Sequence, residues 1–253
     1  MIVTADQYPY VATSTSLVDT LMRATLIPGG REKLFERMDA DPALEQAVRK
    51  VIAGRLNDTP RVVIASSKEY PQAVGKSLRE IAAEQGRDVV DLVLEIQRNG
   101  GASVVNFSLS EEDARYAMTL PWVATASDGS ALFPDPKACP HPRNFGTFPR
   151  KVGYYALGQN VLSLAQAIRS CSGLPADILG LSDRGYLRPG AYADVVVFDP
   201  ETFIDRATFE NPQQYSTGVR RLFVAGHPAL DDGKPSPTLH GRAIRHVAGT
   251  GPP

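Results

Sequence analysis

The sequence predicts an α/β protein that ends in a small β domain, and two observations lead to that prediction. Strands alternate with helical stretches as far as Leu181, an order typical of α/β folds. From Ala193 onward the pattern changes to short, β-branched strands. A closed (β/α)8 barrel takes about 250 residues by itself, whereas only a few of these strands are candidate barrel staves. We therefore expect part of a larger α/β enzyme.

The first elements are a strand, two helices and a second strand. Residues 2–6 predict a buried strand that follows almost no preceding chain, which suggests that the chain is a fragment. Apolar residues at helical spacing predict helices over residues 31–55. Pro42 divides them, because proline interrupts a helix. Residues 61–65 form a β-branched run that predicts the next strand.

Helices and strands continue to alternate through the middle of the chain. The predicted elements are, in order, helices at 77–85 and 89–98, a strand at 102–107, a helix at 110–120 and a buried strand at 122–127. Gly86 is a suitable helix C-cap between the first two helices. Ser110 begins a capping pattern for the third helix.

The remaining chain is predicted to contain a long loop, two helices and a β region. The segment from Ser130 to Pro149 is rich in proline, glycine and polar residues, and connections of that length are usually functional or disordered. The predicted elements after it are helices at 162–172 and 175–181 and strands at 195–198 and 219–224. Residues 247–253 form a tail that is predicted to be disordered.

The composition is that of an ordinary soluble protein. The sequence is 43% apolar and 22% charged, with a net charge of −1, so neither nucleic-acid nor membrane partners are expected. The first residues lack the features of a signal peptide, and we expect a cytoplasmic protein. Cys139 and Cys171 have no metal-ligand spacing and are too few for a disulfide framework.

Asp128 is the first candidate for chemistry. It ends the predicted strand at 122–127, and barrel enzymes place catalytic groups at strand carboxyl ends. There a carboxylate can accept a proton from water and contact a metal. By itself, however, the Asp128-Gly129 pair is more often a simple turn, and the turn is the favoured interpretation of these residues alone.

Residues 141–150, with the sequence HPRNFGTFPR, form the second candidate segment. Arg143 offers a planar fork suited to a carboxylate, although arginines in such loops also pair with local acids, and the two interpretations stay open. His141 could be a metal ligand, but a single histidine between prolines is more often a surface or loop-packing residue.

Several segments together resemble the amidohydrolase superfamily, and specifically its N-acyl-D-amino-acid deacylase branch. The superfamily signature lies in Pro175-Ala176, the turn from Gly185 to Gly190 and the strand at 193–197. The branch is indicated by Ser127-Asp128-Gly129 with residues 141–150, and by residues 6–10 with Ser14-Thr15.

The resemblance implies the C-terminal part of a (β/α)8 barrel over residues 1–181, with an inserted segment at about 29–106. It also implies one part of a small β-sandwich at 182–246. The implied activity is zinc-dependent hydrolysis of an N-acyl-D-amino acid to a D-amino acid and a carboxylate. By position, Asp128 matches the catalytic acid/base and metal-contacting aspartate, and Arg143 the arginine that binds the substrate carboxylate. Tyr8 and Ser14 match substrate-pocket positions.

The sequence departs from this family in its metal ligands. The family's His-x-His pair, cysteine ligand and two later histidines belong upstream of the matched segment. The histidines of this chain are instead His141, His227, His240 and His246, and Cys139 follows Asp128. We therefore expect an enzyme fragment that is inactive alone and lacks an N-terminal half. The alternatives are a non-catalytic carboxylate-binding or scaffold protein, and a small α/β enzyme that uses Asp128 with His141.

Overall fold

A computed structural model describes residues 3–23 and 29–244 of the chain. Its strands are β1 Ala5–Gln7, β2 Thr13–Ser16, β3 Arg61–Ser66, β4 Ser103–Phe107, β5 Val123–Thr125, β6 Val195–Phe198, β7 Val219–Val224, β8 His227–Asp231 and β9 Lys234–Pro235. Its helices are α1 Leu17–Leu21, α2 Gly30–Ala40, α3 Pro42–Asp58, α4 Leu78–Glu84, α5 Val89–Arg98, α6 Glu111–Thr119, α7 Arg143–Pro149, α8 Leu164–Cys171 and α9 Gly173–Leu179. A π-helix at Arg150–Gly158 continues α7 directly, and the tail at 247–253 lies outside the described residues.

The helices begin where the sequence supplies caps. Asp41 accepts hydrogen bonds from the first backbone N–H groups of α3, and Pro42 occupies the first turn, where its missing N–H costs nothing. Ser77 and Glu80 form a capping box at α4. Helices α2 and α3, separated at Asp41, confirm the divided helix predicted at 31–55. Helix α5 confirms the helix predicted at 89–98.

The strands form three separate sheets. β1 and β5 make a parallel pair, with Asp6 opposite Ala124. β2, β4 and β3 form an antiparallel sheet in that order, and β6 to β9 form a four-stranded antiparallel sheet. The β2–β4–β3 sheet and the helices α1 to α6 all lie, in sequence, between the two parallel strands. The described architecture is thus mixed α/β.

Two apolar clusters lie on opposite faces of the β2–β4–β3 sheet. Helices α1 to α5 cover one face through a large core that includes Leu34, Ile52 and Ile64. The other face carries a smaller cluster around Ala12 and Val105. That second face is the one that adjoins the candidate site described below.

Two sequence predictions were wrong in this region. The predicted buried strand at 2–6 begins at Ala5 and is mostly exposed, because β1 pairs with β5 alone among the described strands. The predicted loop from Ser130 to Pro149 becomes helical at Arg143. Pro142 precedes the first helical residue, a position that tolerates proline, so the proline content did not prevent a helix.

The predicted β-sandwich at 182–246 is represented by a single sheet within the described residues. Val196 and Val197 follow each other in β6 and therefore point to opposite faces, and about half of each side chain is exposed. Both faces of β6 are therefore partly open to solvent. Among residues 3–23 and 29–244, no helix combines the length and apolarity that crossing a membrane requires.

Candidate functional site

Asp128 lies just beyond the carboxyl end of β5. Ala126 donates a backbone hydrogen bond to the Gln7 carbonyl at 3.0 Å, so β5 stays paired with β1 to this point. The backbone of Asp128 then turns with a φ of 45°, and Gly129 N donates to Ser127 Oγ at 3.2 Å. About two thirds of the Asp128 side chain remains exposed. Asp128 thus lies in a turn while its carboxylate stays exposed, so the turn interpretation and the functional interpretation are compatible.

Arg143 contacts the other three predicted site residues, which are Asp128, Ser14 and Tyr8. It is almost fully buried at the start of α7. Its Nη2 lies 3.0 Å from Asp128 Oδ2 and donates to the Ser14 backbone carbonyl at 3.4 Å. The guanidinium carbon lies 4.9 Å from the centre of the Tyr8 ring, a cation–π distance. Residues predicted from separate motifs thus surround one guanidinium group.

One nitrogen of this guanidinium has no partner. Arg143 Nη1 is buried and makes no hydrogen bond in the structure. Arginine has only donors to offer, and a buried donor that is left unpaired costs free energy. The site therefore has an unused donor beside Asp128 that fits an oxygen of an incoming anion.

Tyr8 lies at the edge of this site in a partly buried position. Burial raises the pKa of its hydroxyl, while the Arg143 guanidinium acts in the opposite direction. The phenol therefore stays protonated near neutral pH and can act as a hydrogen-bond donor. Ser14 differs, because its contact with Arg143 is through the backbone carbonyl.

His141 is a packing residue rather than a free base. Only 1% of its surface is exposed, and its Nδ1 accepts a hydrogen bond from the Arg143 backbone N–H at 3.0 Å. Its Nε2 lies 2.9 Å from the Ala12 carbonyl, to which it donates. Burial lowers its pKa to about 4. Because both ring nitrogens are engaged, the geometry disfavours an enzyme that uses His141 with Asp128.

The residues that support this site were not predicted from the sequence. Asn144 Oδ1 accepts from Ser130 N at 2.7 Å and its Nδ2 donates to the His141 carbonyl at 2.7 Å, which ties the loop after Asp128 to α7. Arg150 pairs with the buried carboxylate of Asp205 at 3.3 Å and donates to the Pro9 carbonyl at 3.0 Å. These last contacts span residues far apart in sequence, and no local pattern indicates them.

The described residues do not fit a zinc centre. Nowhere in residues 3–23 and 29–244 do three His, Cys, Asp or Glu side chains converge in a way that could hold a metal ion. Asp128 contacts Arg143, and Cys139 Sγ lies 3.6 Å from the Phe209 carbonyl. His227 and His240 stack on each other at 4.0 Å in the terminal β region. His246 lies outside the described residues.

A cavity of about 250 Å³ adjoins the site on the side of α7. Its lining includes the loop residues Ser127 and Gly129, together with Arg143 and Thr147. Thr147 Oγ1 donates to the Arg143 carbonyl at 2.9 Å, one helical turn earlier. The start of α7 is therefore held firmly where it meets the loop that carries Asp128.

Comparison with known proteins gives a consistent family relationship. The model of the amidohydrolase family matches residues 36–229. A D-aminoacylase from Alcaligenes xylosoxydans xylosoxydans is 33% identical over 97% of this chain and 42% of its own length. The chain thus spans less than half the length of this relative.

Solved structures agree with the sequence comparison. A D-aminoacylase structure concerned with a binuclear metal centre is 32% identical, with a TM-score of 0.69 over 93% of this chain and 41% of that protein. An N-acyl-D-glutamate deacylase from Bordetella bronchiseptica, complexed with zinc and a phosphonate inhibitor that mimics the tetrahedral intermediate, is 30% identical. Its TM-score is 0.66 over 91% of this chain and 41% of that protein.

Proposed function

This chain belongs to the amidohydrolase family, in its N-acyl-D-amino-acid deacylase branch, and on that basis we propose that it supplies Asp128 and Arg143 to a deacylase active site. The substrate would be an N-acyl-D-amino acid. Water adds to the acyl carbon, the C–N bond breaks, and the nitrogen takes a proton. The products are a carboxylate and a D-amino acid.

The unpaired Nη1 of Arg143 is the observation that carries this proposal. A buried guanidinium with one free nitrogen is suited to the α-carboxylate of the substrate, because a charge-assisted hydrogen bond would then satisfy the donor. Asp128 and Ser14 hold the other nitrogen in place. Tyr8 lies against the guanidinium and would help to position the same carboxylate.

Asp128 is the proposed proton carrier. Its carboxylate is exposed at the carboxyl end of β5 and lies 3.0 Å from the group that would bind the substrate. A carboxylate in that position can accept a proton from the attacking water and return it to the leaving nitrogen, which is general acid–base catalysis. The contact with Arg143 orients the carboxylate toward the bound molecule.

The relatives contain metal, and we expect zinc as the metal of this enzyme. In the described residues Asp128 is the one family ligand present, whereas catalytic zinc usually has three protein ligands. The other ligands would have to come from a polypeptide segment outside this chain, which we infer to be an N-terminal half like that of the relatives.

A second candidate function is non-catalytic binding of carboxylates. It rests on the same Arg143 nitrogen together with the lack of a metal cluster among the described residues. Both candidates predict that the chain binds an N-acetyl-D-amino acid more tightly than the corresponding amide. Only the first predicts hydrolysis when the missing ligands are supplied.

The deciding experiment joins this chain to the N-terminal part of a related D-aminoacylase and measures deacylation with zinc. We expect D-amino acid release by the joined protein and none by the chain alone. The joined protein must first be shown to fold and to bind zinc. If it then binds the substrate without hydrolysing it, the deacylase proposal is wrong and the binding function is favoured.

A further inference from the structure

A second polar cavity, of about 330 Å³, lies at one end of the β2–β4–β3 sheet. Three serines stand side by side there on neighbouring strands, since Ser103 is opposite both Ser16 and Ser66 in the strand register. The turn at Gly100 and Gly101 closes the cavity at the end of α5. None of these residues belongs to the site around Arg143.

The cavity has a positive lining. Of the described residues that line it, Arg31 and Lys68 are basic and none is acidic. Arg31 is partly exposed, and its Nη2 pairs with Glu32 at 2.9 Å, a carboxylate that is itself largely exposed to solvent. An exposed pair of this kind contributes little to stability. The guanidinium can therefore pair with another anion at small cost.

Gln97 is the unusual member of this cavity. It lies on α5 with only 1% of its surface exposed, and neither its Nε2 nor its Oε1 has a hydrogen-bond partner. Buried amides are ordinarily paired, and each unpaired one calls for an explanation. A ligand with acceptor oxygens in the cavity would supply the partner that Nε2 lacks.

The glycine turn brings Gln97 and Arg31 to the same place. A Cβ on Gly101 would lie 2.8 Å from Arg31 Nη1 and 3.3 Å from Gln97 Oε1. The φ of Gly101 is 79°, in the region that favours glycine. Ser67 Oγ donates to the Gly101 carbonyl at 3.0 Å and holds this turn. A guanidinium and a buried amide thus converge on a residue that has no side chain to obstruct them.

We propose that this cavity is a second binding site, specific for a small oxyanion such as a phosphate or a carboxylate group. Arg31 and Lys68 provide charge, and Gln97 Nε2 provides the buried donor that is now unpaired. The hydroxyls of Ser66 and Ser103 donate hydrogen bonds, whereas that of Ser16 is engaged with Asp19 and that of Ser67 with the Gly101 carbonyl. Such a donor set matches the several acceptor oxygens of an oxyanion. The site is separate from the proposed catalytic residues and does not depend on metal.

The test is equilibrium dialysis of the whole chain against labelled phosphate and, separately, labelled acetate, a method that does not depend on oligomeric state. We expect saturable binding of at least one of the two anions. The anion that binds more tightly identifies the ligand group as phosphoryl or carboxylate. Arg31→Met should weaken binding by at least about tenfold, equivalent to about 1.4 kcal/mol. Arg37→Met, a matched loss of charge on the same helix outside the cavity, should leave it unchanged.

Two further variants test the roles of Arg31 and Gln97 separately. Glu32→Gln should tighten binding, because it releases Arg31 from its present partner. Gln97→Met should weaken binding and yet raise the melting temperature without anion, since it removes an unpaired buried amide of similar size. A Gln97 with a purely structural role would instead lower the melting temperature when replaced.

The proposal is overturned if neither anion binds saturably, or if Arg31→Met binds as tightly as the unchanged chain. It is also overturned if binding is lost in Arg143→Lys but kept in Arg31→Met. That last result would assign the anion to the proposed active site. It would leave the deacylase proposal standing while removing this one.

Discussion

Arg143 Nη2 lies 3.0 Å from Asp128 Oδ2, so the proposed carboxylate-binding cation and the proposed proton carrier are in direct contact. The arginine is buried and the aspartate is mostly exposed. The proposed substrate carboxylate would pair with Nη1, which has no hydrogen-bond partner, while Nη2 stays with Asp128. Under the proposed function, one arginine would hold the substrate and orient the base at the same time.

Replacing Asp128 with asparagine should lower kcat in the joined protein, because it keeps the shape of the side chain and removes the base. General acid–base catalysis contributes about 10²–10⁴-fold, and we expect a loss in that range with a smaller change in KM. Steady-state kinetics on an N-acetyl-D-amino acid measure it. Near-normal kcat would show that Asp128 is not the proton carrier.

Replacing Arg143 with lysine should weaken substrate binding, because lysine keeps the charge but loses the planar fork. The preference for an N-acetyl-D-amino acid over its amide should fall with it. The measurement compares kcat/KM for the acid and the amide in both proteins. An unchanged preference would mean that Arg143 does not bind the carboxylate.

His141 should make stability depend on pH. Its pKa of about 4 in the folded chain lies below the ordinary value of 6.5, so the unfolded chain binds more protons between those values. This contribution to stability is complete above about pH 6.5 and is lost as the pH falls toward 4, by about 3 kcal/mol in all.

The check is denaturant unfolding of the chain at several pH values from 4 to 7. His141→Gln should flatten the dependence in this range, whereas His227→Gln, at an exposed position, should leave it as it is. An equally steep dependence in His141→Gln would assign the acid sensitivity to other groups.

The chain by itself should self-associate through an apolar cleft of about 820 Å³ between α8, α9 and β6. Leu187 is 82% exposed there, and Ile168 and Val196 are also exposed. Apolar surface of this kind usually marks an interaction site. In the proposed full-length enzyme, the missing N-terminal half would cover it.

Sedimentation and binding of a hydrophobic dye measure this association. Leu187→Lys combined with Val196→Lys should reduce both signals. Leu239→Lys is the control, because Leu239 is 92% exposed but does not line the cleft. A monomer with no dye binding would contradict the prediction.

The isolated chain should bind no stoichiometric zinc, because no three His, Cys, Asp or Glu side chains of the described residues converge as a catalytic zinc site requires. Dialysis against zinc followed by elemental analysis tests this expectation. One tightly bound zinc per chain that disappears in His141→Gln or Cys139→Ser would show that the metal chemistry lies elsewhere in the chain.

The sequence by itself determined most of the local structure and the family. Helix α5 was predicted at its observed bounds, as was strand β6, because caps and the periodicity of apolar residues act over a few neighbouring positions. Asp128 and Arg143 were found through motifs that combine a strand end with a loop of distinctive composition. The helix that begins at Arg143 was missed, since its prolines and glycine indicate a loop.

Only the tertiary structure decided how these residues meet. Ser14 and Arg143 are 129 positions apart and in contact, and no local pattern encodes such a pairing. The neutral state of His141 likewise follows from burial, which depends on the packing of segments from across the chain. The free nitrogen of Arg143 and the unpaired amide of Gln97 are properties of packing as well. Whether a polar group finds a partner is settled only when distant segments come together.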